Sequence, residues 1–268
     1  MDSNDFNLGY EVVYRDRLEE TKSMITLATL LDSLDQGAEG GRYNDVMLQA
    51  YEIANKANPS GVPTPAPDVT LVSSVIRSNV KLMVYNIIEY SITSLVQAIY
   101  DRIADEGCGY TDVSKKLQSL WHQTQMRFRL SDPNANNDTA ERISKDLLDH
   151  AVANNALRIN ARNTIAGGNL DADKILKLFD RHGISIHDDV ANCRTDELKG
   201  ELEDVKDKRN ALAHGSVSFA EAGNQVTTSE LAELVEDVDA FLTQLRRDVL
   251  VYLNASEYRC GVPGPEKG

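Results

Sequence analysis

Apolar residues recur at intervals of three and four positions along most of this 268-residue chain. That spacing places them on one face of an α-helix, whereas a half-buried strand would alternate apolar and polar residues. No convincing run of alternation occurs between the helical stretches. Proline and glycine, which interrupt helices, are scarce and concentrate in a few places. The pattern therefore predicts an all-α protein.

The strongest predicted element is one long helix in the middle of the chain. Asp68 can cap its N-terminus, and no proline or glycine follows until Gly107. A helix of this length with an apolar stripe is typical of the spine of a helical bundle. Before it, the pattern predicts helices over about 9–35 and 44–57. After it, helices are predicted over about 111–128, 139–150, 171–182, 195–213 and 227–254.

The segments between these helices predict the domain organisation. Residues 58–68 carry four of the seven prolines, so they are expected to form a linker. We therefore divide the chain into N-terminal helices with this linker at 1–66, a helical domain at 67–256 and a disordered tail at 257–268. Residues 131–138 are expected to be a loop, and residues 216–226 an irregular or short extended connection.

Composition and charge exclude several classes of protein. The chain has 28 basic and 42 acidic side chains, a formal net charge of −14, which argues against a broad nucleic-acid binder. The polar N-terminus does not resemble a signal peptide, and no uninterrupted apolar run is long enough to predict a transmembrane helix. The three cysteines form no CxxC pair. We expect a cytoplasmic protein with no membrane association, no cofactor and no metal site.

Candidate chemistry is concentrated in residues 201–215, ELEDVKDKRNALAHG. Leu202, Val205, Arg209 and Leu212 follow one another at helical spacing, so Arg209 lies in line with the predicted buried face. Asn210 and His214 are four residues apart and share a neighbouring flank, and Gly215 can end the helix there. An arginine in line with a buried face needs an anionic partner or an interface, because its guanidinium keeps its charge.

These side chains suit RNA cleavage without a metal. A histidine titrates near neutral pH and can move protons to or from a ribose 2′-hydroxyl or a leaving 5′-oxygen. An arginine can bind a phosphate through two donors and stabilise the charge of the transition state. Residues five positions apart diverge by roughly 140° around an ideal helix, so one copy makes a poor pocket. Two copies facing each other across a two-fold axis can make a good one.

The segment RNALAHG resembles the R-x4-H motif of HEPN domains. Two further stretches resemble a bacterial HEPN nuclease-like subgroup both in their sequences and in their order along the chain. They are SNVKLMVYNIIEYSITSLVQAIYDRI and GGNLDADKILKLFDRHGI. The resemblance implies an all-α, HEPN-type helical bundle, here with additional N-terminal helices. It also implies a homodimer and metal-independent endoribonuclease activity, leaving a 2′,3′-cyclic phosphate and a 5′-hydroxyl. Members often act as toxins or in phage defence.

Mapped by this resemblance, Arg209, Asn210 and His214 are the candidate catalytic residues, with RNA as the substrate. Glu89, Lys206 and Lys208 are candidate supporting residues, Glu89 from its resemblance to an acidic position in relatives and the two lysines because they add positive charge beside Arg209. An antitoxin or regulatory protein is a candidate partner.

Other interpretations remain open. His214 and Gly215 could simply cap a helix whose arginine pairs with Glu201 or Asp204. The whole domain could be a non-catalytic helical module that binds a partner protein or a nucleotide. An antitoxin would fit the acidity but not the R-x4-H motif.

Overall fold

The computed structural model describes residues 3–36, 49, 51–53, 55–57, 68–130, 137–165, 170–186 and 195–261. In these ranges the regular elements are helices, and β-pairing is limited to isolated bridges between single residues. The predicted all-α fold is therefore confirmed. The helices are α1 Ser3–Gln36, α2 Val69–Asp105, α3 Lys115–Leu130, α4 Asn137–Val152, α5 Ala161–Thr164, α6 Ala172–His182, α7 Thr195–Ala213, α8 Phe219–Gly223 and α9 Thr228–Asn254.

The chain divides into two compact units. The first unit comprises Met1–Arg15, Ile87–Lys206 and Asp237–Gly268, and the second comprises Asp16–Asn86 and Asp207–Glu236. The helices α1, α2, α7 and α9 each contribute residues to both units. The predicted boundary after residue 66 lies outside the described residues and stays a prediction.

Each unit has its own buried apolar residues. In the first, Ile92 and Leu95 of α2 and Leu242 of α9 are completely buried. In the second, a small cluster joins Ala28 of α1 to Ile76 of α2. These positions lie on the apolar stripes that the periodicity predicts, so burial of those stripes drives the folding of both units.

The central helix α2 begins as predicted, because the Leu71 N–H donates to the Asp68 carboxylate at 3.1 Å. It is long and apolar enough to cross a membrane if length and composition alone are considered. However, 56% of its most apolar window is buried inside the protein, as in the core helix of a bundle.

Two other helices also have side-chain caps at their starts. Asp171 accepts a hydrogen bond from the Lys174 N–H at the start of α6, and Gly183 ends that helix with a φ of +88°. At the start of α9, Thr227 and Glu230 form the reciprocal capping box that their spacing predicts.

Several predicted boundaries are wrong. The third helix starts at Lys115, because residues 109–112 form a turn in which the Asp112 carboxylate accepts from the Gly109 N–H at 2.8 Å. The loop predicted over 131–138 ends earlier, since α4 begins at Asn137. The connection predicted over 216–226 contains the short helix α8, capped by Ser218. Only part of the helix predicted over 44–57 lies in the described residues.

The predicted disordered tail is wrong for residues 257–261. Tyr258 is completely buried, and its hydroxyl donates to Glu106 at 2.8 Å. Arg259 forms an ion pair with the same carboxylate, and the Cys260 N–H donates to the Asp112 carbonyl. Partial burial opposes ionisation of Glu106, but the hydrogen bonds from Tyr258 and Arg259 lower its pKa. Residues 262–268 lie outside the described part of the chain.

Candidate functional site

The predicted motif lies at the C-terminal end of α7. Leu202, Val205 and Leu212 are buried, which confirms the apolar stripe, and Arg209 is half-buried in line with them. The guanidinium is therefore set at the edge of the buried face rather than extended fully into solvent. The position of the guanidinium is set by its contacts with neighbouring side chains.

Tyr85 and Asn210 both contact the Arg209 guanidinium. Its guanidinium carbon lies 5.1 Å from the ring centroid of Tyr85, a buried residue of α2. Its Nη1 donates to the Asn210 side-chain oxygen at 3.0 Å. A cation over an aromatic face is attracted by the ring quadrupole, and the planar ring also restricts the guanidinium plane. Tyr85 and Asn210 together orient the charge of Arg209.

His214 occupies a different environment. It is the first residue after α7, it is exposed, and its N–H donates to the Asn210 carbonyl at 3.0 Å. Gly215 follows with a φ of +68°, and the Ser216 N–H donates to the Ala211 carbonyl. This is a glycine-terminated helix end, in which a side chain at position 215 would be strained. The cap leaves the imidazole at the negative end of the helix dipole, accessible to a substrate.

The segment after His214 is anchored to α2. Gly223 packs so closely on the Ser74 carbonyl that a Cβ at this position would overlap it. The Ser74 hydroxyl bonds to the Asn224 side chain, and the Arg77 guanidinium donates to the Gly223 carbonyl at 3.1 Å. Arg77 is itself fixed by an ion pair with Asp32 at 2.9 Å. The same helix therefore holds both the arginine of the motif and the chain that follows its histidine.

The chain matches the model of the MAE_28990-like HEPN family over residues 14–258. It belongs to this HEPN family. No curated protein and no solved structure matches it. At the level of the family, membership indicates a nuclease-like or RNA-related function. The match begins inside the segment 1–66, which is predicted to precede the helical domain.

The candidate supporting lysines of this HEPN protein are engaged with other side chains. Lys206 is largely buried and bonds to Asp171, the cap of α6, at 3.3 Å, with Glu203 at 3.6 Å. Lys208 donates to the Gln225 side-chain oxygen. Glu89 is half-buried on α2 and, like Lys206, belongs to the first compact unit, whereas Arg209, Asn210, His214 and Lys208 belong to the second. A role for Glu89 or the lysines at the site stays a prediction.

A second histidine, His182, is part of the hydrogen-bonded core of this HEPN protein. His182 is completely buried, its Nδ1 donates to the Leu178 carbonyl at 2.6 Å, and its Nε2 lies 2.6 Å from the Tyr100 hydroxyl. A carbonyl only accepts, so the neutral ring carries its proton on Nδ1 and accepts from Tyr100 on Nε2. Burial lowers the pKa of His182 to about 4. Among the described residues, no group of three His, Cys, Asp or Glu side chains could hold a metal ion.

Tyr85 and Arg77 are the residues that sequence reasoning missed. Both lie on a helix that periodicity predicts, but periodicity describes only which face of α2 is buried. An aromatic residue inside a core helix carries no signal that it faces an arginine of a distant segment. Only the folded chain brings Tyr85 under Arg209.

Proposed function

We propose that this HEPN protein is a metal-independent endoribonuclease that uses Arg209, Asn210 and His214. The observation that carries the proposal is the arrangement of the motif at the end of α7. A guanidinium oriented by Tyr85 and Asn210 precedes an exposed imidazole at a glycine-capped helix end. Membership of the HEPN family supports the same reaction class.

In the proposed reaction a base removes the proton of a ribose 2′-hydroxyl, and the 2′-oxygen attacks the adjacent phosphorus. The bond from phosphorus to the 5′-oxygen breaks, and an acid gives that oxygen a proton. His214 is the proton carrier in this proposal. Arg209 binds the phosphate oxygens and stabilises their added charge, and Asn210 positions Arg209. The products are a 2′,3′-cyclic phosphate and a 5′-hydroxyl.

The proposed active form is a homodimer. Arg209 and His214 are five positions apart at the end of one helix, a separation of roughly 140° around the helix axis. A single copy therefore presents its phosphate-binding group and its proton carrier in different directions. Two copies related by a two-fold axis would place the arginine of one near the histidine of the other.

We further propose that the enzyme acts as a toxin or a phage-defence effector, neutralised or activated by another protein. Expression in bacteria tests this role. The wild type is expected to arrest growth, and His214→Ala is expected to leave growth unaffected at equal protein levels. Growth arrest by both proteins, or by neither, would contradict a toxic role that depends on cleavage.

The reaction is tested with purified protein and mixed single-stranded RNA in the presence and absence of excess EDTA. The wild type should cut RNA equally in both, and Arg209→Ala and His214→Ala should each lose at least a hundredfold in rate. His122→Ala, which changes an exposed histidine outside the motif, should cut like the wild type. Intact RNA with all four proteins would favour a non-catalytic binding module, and loss of activity in EDTA would indicate a metal enzyme.

A further inference from the structure

A local basic surface lies on the first compact unit of this acidic protein, where α3 packs against α6. The sequence of α3, KKLQSLWHQTQMRFRL, has four basic residues and no acidic residue, although the whole chain has a net charge of −14. We define the α3–α6 surface by the exposed side chains of Lys115, Lys116 and Gln123 on α3 and of Lys177 and Arg181 on α6.

The buried faces of the two helices place these side chains towards solvent. Leu117 of α3 and Ile175 and Phe179 of α6 are completely buried, and the polar positions between such residues lie on the opposite faces. Lys177 and Arg181 are four residues apart, so they are neighbours on one face of α6. The cations of the surface are therefore accessible to a ligand in solution.

Two hydrogen bonds join the exposed edges of the helices. The Lys116 Nζ donates to the Asp180 carboxylate at 2.8 Å, and the Arg181 Nη2 donates to the Gln123 Oε1 at 2.8 Å. A guanidinium has five N–H donors, so one bond to a neutral amide leaves both its charge and further donors for a ligand. The bonds hold cations of the two helices beside each other.

The acidic residues of α6 are engaged with lysines. The helix has two, Asp173 and Asp180, and Asp180 pairs with Lys116. The Asp173 carboxylate lies 3.5 Å from the Lys199 Nζ. Since α3 contributes no acid of its own, positive charge exceeds negative charge on the α3–α6 surface.

The negative net charge of the protein does not prevent this surface from binding an anion. At an ionic strength of about 0.1 M, charges more than about 10 Å away are largely screened. An anion at the α3–α6 surface is therefore affected mainly by the cations next to it, and less by acidic groups elsewhere on the chain. A small number of contacts at one place is compatible with an acidic protein.

We propose that the α3–α6 surface binds the phosphate backbone of single-stranded RNA. The Arg181 guanidinium matches the geometry of a phosphate through two parallel donors, and Lys115 and Lys177 add point charges beside it. The Gln123 Oε1 accepts from Arg181, which leaves its Nε2 to donate to a phosphate or sugar oxygen. Contacts of this kind position a strand without reading its sequence, so the surface raises affinity rather than specificity.

This proposal rests on the proposed function, because it assigns to the surface the binding of the RNA that the nuclease cleaves. Binding is measured separately from cleavage with a single-stranded RNA whose 2′-O-methyl groups remove the attacking hydroxyl. Fluorescence polarisation of this RNA with the full chain, at about 50 mM salt and upwards, gives the affinity and its salt dependence.

The test variant is the double substitution Lys177→Gln and Arg181→Gln, which removes two exposed charges of the surface. It should weaken RNA binding at least about fivefold at low salt. Each phosphate contact of a single strand contributes about 0.7 to the slope of log affinity against log salt concentration, so the slope should become shallower by about 1.4.

The matched control is the double substitution Arg142→Gln and Lys145→Gln. It removes the same charge from exposed positions of α4, whose sequence also contains four acidic residues. The control should bind RNA within about twofold of the wild type and keep its salt slope. Circular dichroism establishes that both double variants are folded before their affinities are compared.

Cleavage of unmodified RNA gives a second measurement. The Lys177→Gln and Arg181→Gln variant should raise KM at least about fivefold and leave kcat unchanged, because its substitutions remove binding contacts and leave the proposed catalytic residues in place. The two proposals can fail separately. RNA binding that depends on Lys177 and Arg181 without any cleavage would support the surface and contradict the nuclease, whereas cleavage with equal binding by all proteins would do the reverse.

Three results would overturn the proposed RNA surface. One is the absence of RNA binding by the wild type at low salt. Another is an equal loss of affinity in the test variant and the matched control, which would indicate a general effect of charge. The third is tighter binding of polyglutamate than of RNA at equal concentrations of charge, which would assign the surface to an acidic protein partner.

Discussion

At the scale of single residues, the best-defined feature of the candidate site is the pair of contacts that orients Arg209. The arginine has a long, flexible side chain, and fixing it costs conformational entropy. The Tyr85 ring and the Asn210 side chain offset that cost before any substrate is bound. In a nuclease, such preorganisation lowers the barrier, because the cation need not be reoriented as charge develops on the phosphate.

Replacing Tyr85 tests this preorganisation. Tyr85→Phe keeps the ring and should retain RNA cleavage within about threefold of the wild type. Tyr85→Leu removes the ring and should lower cleavage by about 10-fold, the equivalent of a cation–π contact of about 1.4 kcal/mol. Initial rates per folded protein measure both effects. Equal losses in the two variants would show that the ring does not hold Arg209.

The buried His182 predicts a pH-dependent stability. Burial lowers the pKa of His182 in the folded protein from 6.5 to about 4. Between these pH values the unfolded chain binds a proton at His182, whereas the folded chain does not. The neutral His182 therefore does not lower the free energy of unfolding well above pH 6.5. As the pH falls towards 4, this free energy decreases, by about 2 kcal/mol at pH 5.

Urea unfolding at about pH 8 and about pH 5 checks this expectation. His182→Gln keeps a donor and an acceptor but does not titrate, so the free energy of unfolding should fall less for this variant than for the wild type. Parallel decreases in the two proteins would show that His182 does not contribute to the acid sensitivity.

Residue contacts of this kind could not be read from the sequence. The motif itself was visible, because Arg209, Asn210 and His214 are close together in the chain and their relative directions follow from helix geometry. Tyr85 and Arg77 contact residues that are remote in sequence. The bond between Lys206 and Asp171 likewise joins residues that are far apart in the sequence.

At the scale of elements, α8 is attached to α2 through a glycine. Gly223→Ala would place a Cβ on the Ser74 carbonyl, so it should lower the free energy of unfolding by about 2 kcal/mol or more. Gly200→Ala is the control, because Gly200 is exposed inside α7 and no atom would meet its Cβ. It should raise stability by up to about 1 kcal/mol. Similar effects at both sites would contradict the close contact.

The start of α6 depends on Asp171, which caps the helix and pairs with Lys174 and Lys206. Partial burial opposes ionisation of Asp171, but these hydrogen bonds lower its pKa below the ordinary value. Asp171→Ala removes the cap and the charge and should cost about 1–2 kcal/mol, whereas Asp171→Asn keeps the cap and should cost less than half of that. Chemical unfolding compares the two, and a larger loss for the asparagine variant would contradict a capping role.

Helices were predictable where their signals are local. The boundaries of α2, α6, α7 and α9 follow from caps, glycines and apolar spacing within each segment. The short helix α8 and the packed residues 257–261 were missed for a different reason. Their order comes from Ser74, Arg77 and Glu106 elsewhere in the chain, and no local pattern reports such partners.

At the scale of the whole molecule, the net charge of −14 restricts how the proposed nuclease can bind RNA. A dimer would carry twice that charge, so broad electrostatic adhesion to RNA is unfavourable. Lys206 and Lys208 bond to the Asp171 and Gln225 side chains, and Arg209 contributes the positive charge of the motif itself. We therefore expect weak nonspecific affinity and a dependence on a selected RNA or a partner protein.

The proposed dimer is testable with two inactive variants. If one cleft contains Arg209 and His214 from both copies, a mixture of Arg209→Ala and His214→Ala that exchanges subunits retains one of each residue. The mixture should then recover measurable cleavage that neither variant shows alone. Sedimentation of the wild type at twice the monomer mass is the accompanying requirement, and a purely monomeric protein with full activity would contradict a composite site.

The central claim concerns the chemistry of Arg209 and His214, and the ends of the RNA products test it most directly. Purified wild-type protein is incubated with an end-labelled RNA in excess EDTA, and the new ends are identified by mass spectrometry. The account predicts 2′,3′-cyclic phosphate and 5′-hydroxyl ends from the wild type and from His122→Ala, and none from Arg209→Ala or His214→Ala. Ends of the opposite kind, 3′-hydroxyl and 5′-phosphate, or the same products from all four proteins, would contradict it.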